Sequence, residues 1–237
     1  MHGADAVGFY VSGRLLTEDY YVASELMKGF IGSAKIDTHS RLCMSSAVAG
    51  QKRAFGSDTV PGCYEDLERA NLIVLSGSNL AWCHPVLYQR IVKAKRENPS
   101  LVVVVIDPRR TASCDIADLH LAIEPGSDHA LFNGLLVYLH EHDEINQPFV
   151  RQFTEGLEAA IDVSRQVAPS IESVADSCKL DASDIENFYR LFARNERVVS
   201  AYSQGINQWS NGTDRVNSII NCHLLTGRIG RPGMGPL

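Results

Sequence analysis

The chain has 237 residues, is 45% hydrophobic and 21% charged, and carries a formal net charge of −6 with a pI near 5.7. That size and composition suit a globular chain with a sizeable core, and the acidic balance argues against a broad nucleic-acid-binding face. No apolar run approaches the roughly 20 residues of a membrane helix, and the opening residues lack the basic flank and apolar stretch of an export signal, so a cytoplasmic location with neither nucleic acid nor membrane as partner is expected.

In chain order, "ADAVGFYVSG" reads as a strand and "LTEDYYVASELMKGFIG" as a helix running from Thr17 to a terminating glycine region. "RLCMSSAVAG" then sets Cys43 beside Met44 and ahead of small residues that admit a close backbone or a flat ligand. A thiol so placed can ligate a metal, attack a substrate or fill space. The six cysteines, at 43, 63, 83, 114, 178 and 222, contain no C-x-x-C pair, which fits neither a zinc site nor a disulfide framework. The five others read as buried small hydrophobes.

The clearest pattern spans residues 70–140. "NLIVLSGSN" is a short apolar strand, and "HPVLYQRIVKAKRENP" follows as a helix with Pro85 in its first turn. "LVVVVIDPRRT" is a β-branched run of the kind buried on both faces, "LHLAIEPGSD" is a third strand, and "HALFNGLLVYLHEH" is a helix capped by Ser127 or Asp128. Residues 141–195 read as polar helices without site chemistry. "ERVVSAYSQGINQ" is a further strand running into a polar loop, and "GTDRVNSIINCHLLTG" is a helix expected to start at a Thr213 cap and stop at Gly227. The glycine- and proline-rich ending is loop chemistry, and the chain is expected to be a piece of a longer polypeptide. Alternating strands and helices predict an α/β fold with a parallel sheet.

In such sheets ligands sit beyond the carboxyl ends of the strands. Four strand ends carry pointed chemistry: "SGSN" (76–79), "DPRRT" (107–111), "EPGSD" (124–128) and "SQGINQ" (203–208). Gly77 either lets the backbone approach a phosphate or makes a tight turn, and Asn79 can offer an amide to a base or ribose. Asp107 suits a ribose hydroxyl. Arg109 and Arg110 suit phosphate oxygens, or form a solvated turn with Pro108. Asp128 can hold a guanine edge or cap its helix. Gln204, Asn207 and Gln208 bring three amides into five residues. The three-glycine dinucleotide fingerprint is not met, because "GSNLAW" has one glycine, so a nicotinamide-binding domain is disfavoured.

The segment from "IDTHSRLCMSSAVAG" to "LSGSNLAWCHPVL", with "VVVIDPRRT", "PGSDHALFNGLL" and "GINQWSNGTDRVNSIINCHLLTGRIGRPGMGP", closely resembles the molybdopterin-guanine-dinucleotide oxidoreductases, in particular their assimilatory nitrate reductase branch. The resemblance implies a molybdenum atom held by two molybdopterin guanine dinucleotides and by Cys43. Met44 falls where nitrate reductases commonly carry methionine and formate dehydrogenases histidine. It implies reduction of nitrate to nitrite, with formate oxidation or a non-catalytic domain as alternatives, and Arg41 drawing in the anion or bracing its loop. Cofactor contacts are expected at His39, at Ser76, Gly77, Ser78, Asn79, Ala81 and Cys83, and at Ile106, Asp107, Pro108, Arg109 and Arg110. Further contacts are expected at Gly126, Ser127 and Asp128, and at Gln204, Gly205, Asn207 and Gln208. An iron–sulfur [4Fe–4S] cluster and an electron-donor partner are implied, with the cluster's ligands outside this chain. Residues 40–193 are then expected to form a doubly wound, Rossmann-like domain, and residues 1–39 and 194–237 the two parts of a second α/β unit.

Overall fold

The computed structural model describes residues 2–237, apart from the side chains of Ser40 and Arg41. Two compact units divide the chain, Met1–Ser45 and Ser46–Leu237.

In the first unit, strands β1 (Phe9–Val11) and β2 (Ile36–Thr38) pair in parallel, Tyr10 opposite Asp37. They are joined by a helix that begins at Thr17, as the sequence predicts, and widens into π turns over Leu26–Ile31. Parallel neighbours need such a crossover. Of the described residues in this unit, only Met27 and Ser33 are buried. A short helix, Ser40–Cys43, follows β2.

The second unit is built on a parallel sheet of β3 (Leu72–Ser76), β4 (Val102–Ile106), β5 (Leu119–Leu121), β6 (Val198–Tyr202) and β7 (Gly235–Pro236), in the order β5-β4-β3-β6-β7. The apolar runs become central strands because both faces are covered. Leu72, Val74, Val104 and Ile106 join one core cluster with Phe132, Phe188 and Ile219, while Ile73, Leu75, Val103 and Val105 join another with Leu67 and Ile91. This is the period-two alternation of a strand buried between two helical layers. The sheet is doubly wound, as expected.

The helix Pro85–Glu97 starts on Pro85, whose missing N–H costs nothing in a first turn. The helix Ala182–Arg194 buries Ile185, Phe188, Tyr189 and Phe192, one stripe of a 3.6-residue period. The helix expected to cap on Thr213 instead spans Gly212–Leu225 after Asn211.

The expected grouping of residues 194–237 with residues 1–39 differs from the structure. Residues 198–201 are all buried, and Leu72 to Ser76 of β3 stand in register with Val198 to Tyr202 of β6. A strand buried on both faces needs a neighbour on each edge and helices above and below. Strand β3 supplies one of those edges and β7 the other.

Candidate functional site

Because β3, β4, β5 and β6 are parallel, their carboxyl ends lie along one edge, and all four marked segments meet there. From β3 the chain winds outward through β4 and β5 and then returns to β6 on the opposite side of β3. The reversal makes the tips of β3 and β6 the switch point at which sheets of this kind take ligands.

Gly77 and Gly205 meet at that point, backbone against backbone. A Cβ on Gly77 would stand 2.8 Å from Gly205 Cα, and one on Gly205 would stand 2.6 Å from Gly77 Cα. Gly77 also has φ of 54°, a left-handed conformation that favours glycine. The Gly77 N–H donates to the Ile106 carbonyl at 2.9 Å and the Gly205 N–H to the Gly77 carbonyl at 3.0 Å, tying the tips of β4, β3 and β6 together. Ser76 Oγ is buried beside them with no hydrogen-bond partner.

Around this seam the polar groups are ordered. Ser113 Oγ donates to Asn79 Oδ1 at 3.3 Å and accepts from the Ala81 N–H at 3.1 Å, which fixes the start of the short helix Leu80–Cys83. Ser78 is buried, and Cys83 is exposed. Asp107 is 7% exposed and its Oδ1 accepts from the Arg109 N–H at 2.9 Å, a turn that sends the Arg109 side chain into solvent. Pro108 and Arg110 are exposed too. Asn207 is buried; its Oδ1 accepts from the Ala47 N–H at 2.8 Å and its Nδ2 donates to Gln204 Oε1 at 3.0 Å. Gln208 is exposed.

Ser127 is the residue before the helix Asp128–Glu141, but its hydroxyl donates back to the Glu124 carbonyl at 2.8 Å and makes no cap. Asp128 is not the cap either. It is 5% exposed and its Oδ2 accepts from Arg215 Nη1 at 3.0 Å. Burial pushes its carboxyl pKa up, and the guanidinium opposes that rise. Arg215 also donates from Nη2 to the Gly126 carbonyl at 2.8 Å and from Nε to Asn211 Oδ1 at 2.9 Å. Its plane lies 4.2 Å over the Trp209 ring, and the Trp209 indole N–H donates to the Gly205 carbonyl at 2.7 Å. Through these hydrogen bonds and the Arg215–Trp209 ring contact, the chain of interactions continues from β6 to the loop after β5.

Arg215 and Trp209 were missed in the sequence. An arginine directly before Val216 on a helix face that continues into Ile219 and Ile220 was the available signal, since a charge on an apolar stripe must find a buried partner.

In the first unit, Cys43 ends the Ser40–Cys43 helix and is half-buried, its N–H donating to the His39 carbonyl at 3.1 Å. His39 is half-buried, and its Nε2 accepts from the Gly13 N–H at 3.2 Å. Met44 is 36% exposed. The Arg41 side chain lies outside the described residues. Among the described residues no group of three or more His, Cys, Asp or Glu side chains could hold a metal, and no helix is long and apolar enough to cross a membrane.

An open parallel sheet with ordered polar loops over a switch point defines a doubly wound α/β protein of the kind that takes ligands at that edge. The molybdopterin oxidoreductase family matches residues 1–237, and the chain belongs to that family, whose members use a molybdenum–pterin cofactor. It is 54% identical over 235 residues to a nitrate reductase of Klebsiella oxytoca, covering 99% of this chain and 26% of that protein. It is 49% identical to a nitrate reductase of Shewanella frigidimarina, covering 99% and 25%. It is 36% identical to a periplasmic nitrate reductase of Desulfovibrio desulfuricans, covering 98% and 32%. The chain thus spans about a quarter to a third of the length of these curated relatives. The fold is also that of acetylene hydratase from Pelobacter acetylenicus, with a TM-score of 0.74 at 20% identity over 94% of this chain and 30% of that one.

Proposed function

We propose that this chain is the cofactor-binding segment of a molybdenum-dependent nitrate reductase, in which nitrate, two electrons and two protons give nitrite and water. The observation that carries the reading is the likeness to nitrate reductases along 99% of the chain, joined to a strand-tip edge whose donor set suits a nucleotide-bearing cofactor. When bound, the molybdenum–pterin group supplies the two-electron oxygen-atom transfer.

The chain's own residues then have separate tasks. Cys43 offers a soft thiolate to the metal. Asp107 accepts from ribose hydroxyls, and the solvent-facing Arg109 and Arg110 neutralise phosphate oxygens. The Gly77–Gly205 seam keeps side chains off the joined strand tips, and the Ser76 hydroxyl next to it is a buried polar group without a partner. Asp128, held through Oδ2 by Arg215, accepts from a guanine edge. Met44 sets an uncharged thioether beside the metal ligand. The [4Fe–4S] cluster and the electron donor belong to parts of the enzyme outside this chain, and a cytoplasmic location belongs to the same proposal.

The test is Cys43→Ala in the full-length enzyme. Nitrate turnover should fall about 10–100-fold and molybdenum content should fall as well, to a smaller extent because the pterins also hold the metal, and formate should not be oxidised by the unsubstituted enzyme. Unchanged molybdenum content and turnover would remove Cys43 as the ligand, and formate oxidation would move the chain to another branch of the family.

A further inference from the structure

Arg215 has no assigned role, yet it is the most fully engaged cation of the strand-tip edge. It is 3% exposed, its three donor nitrogens reach Asn211, Asp128 and Gly126, and its face is stacked on Trp209. Gly126 sits beside the pair, and a Cβ there would meet both Arg215 Nη2 and the Trp209 ring at 3.4 Å, in van der Waals contact.

A buried ion pair is a poor source of stability, because desolvating both charges roughly cancels their attraction. What the arrangement supplies is position and charge state. A guanine edge presents two adjacent N–H donors, so it requires an acceptor, and an isolated buried carboxyl drifts toward the protonated form, which is a donor. A cation at hydrogen-bond distance keeps Asp128 an acceptor. The planar guanidinium fork, held at three points, also fixes the orientation of the carboxylate.

We infer that Arg215, stacked on Trp209, is a positioning residue that holds Asp128 and the Gly126 carbonyl in the arrangement that selects a guanine nucleotide. Lysine offers one ammonium in place of the fork and cannot satisfy all three acceptors in the same geometry. The inference rests on the reading of Asp128 as a nucleotide contact.

The full-length holoenzyme is prepared unsubstituted and as Asp128→Asn, Arg215→Ala, Arg215→Lys and the Asp128→Asn/Arg215→Ala double variant. After a fixed dialysis, guanosine monophosphate released by acid hydrolysis and molybdenum are measured per polypeptide, along with the thermal midpoint of cofactor-free protein. Both single replacements to asparagine and alanine should lower nucleotide retention about tenfold, and the double variant should fall no further, because Arg215 acts through Asp128. Arg215→Lys should fall between, with a cofactor-free thermal midpoint close to that of the unsubstituted protein; should Arg215→Ala not fold, Arg215→Lys carries the test. Full retention in an Arg215 variant, multiplied losses in the double variant, or losses that track the cofactor-free thermal midpoint overturn the inference. No guanosine monophosphate from the unsubstituted enzyme, or full retention in Asp128→Asn, overturns the underlying reading of the site and the inference with it.

Discussion

His223 shows how far burial alone reaches. It is fully buried on the helix Gly212–Leu225, its Nε2 is 2.8 Å from Ser200 Oγ in the middle of β6, and its ring meets Phe192 edge to face at 5.4 Å. Burial, with the Arg228 charge adding to it, lowers its pKa from an ordinary value near 6.5 to about 3. The unfolded chain therefore binds a proton below pH 6.5 that the native chain refuses until about pH 3, so this stability is complete above pH 6.5 and is lost as the pH falls through that window. Between pH 7 and pH 5 the loss is about 2 kcal/mol. Urea unfolding at the two pH values should show it, and His223→Gln should show a change smaller by that amount; an unchanged slope would mean that His223 is protonated in the fold. Nothing in "NCHLLTG" disclosed this, because the partner serine lies more than twenty positions away. Asp107, by contrast, was readable from its own strand, since an acid that closes a β-branched run must emerge at the sheet's edge. Asp128 was half readable. Its place was evident, but its engagement with Arg215, 87 positions on, was not.

At the scale of elements, the strands at 72–76 and 102–106 were legible because a run buried on both faces has one solution, while the partner of the strand at 198–202 was not, because periodicity says nothing about which edge a strand joins. The joint between β3 and β6 shows how little room that edge allows. Gly205→Ala drives a methyl into the Gly77 backbone, which cannot move aside as a flexible side chain could. It should cost about 2 kcal/mol in urea unfolding and loosen the strand-tip loops, seen as faster amide exchange at residues 76–79 and 204–208. An alanine variant as stable and as protected as the original would show that the contact is slack. The loop segments themselves were recognised by composition, and what composition could not supply was their order of connection. That order, from Ile106 through Gly77 and Gly205 to Trp209 and Arg215, depends on backbone carbonyls that every residue carries.

At the scale of the whole molecule, the two units differ in how much each buries. The second holds both core clusters, whereas the described part of the first buries Met27 and Ser33 alone. A chain starting at Ser46 should therefore unfold in one cooperative transition with a midpoint within about 5 °C of the 237-residue chain, measured by circular dichroism. Loss of the transition would mean that the first unit supports the sheet. The winding of that sheet has a temporal consequence as well. Its innermost strand, β3, pairs on one side with β4, made thirty residues later, but waits on the other side for β6, more than a hundred residues further along. At a synthesis rate of about 5–20 residues per second, β3 has an unsatisfied edge for roughly 6–25 seconds on the ribosome. The nascent chain is then a half-sheet with an open, apolar border, and a cell making this protein must shield that border until β6 arrives.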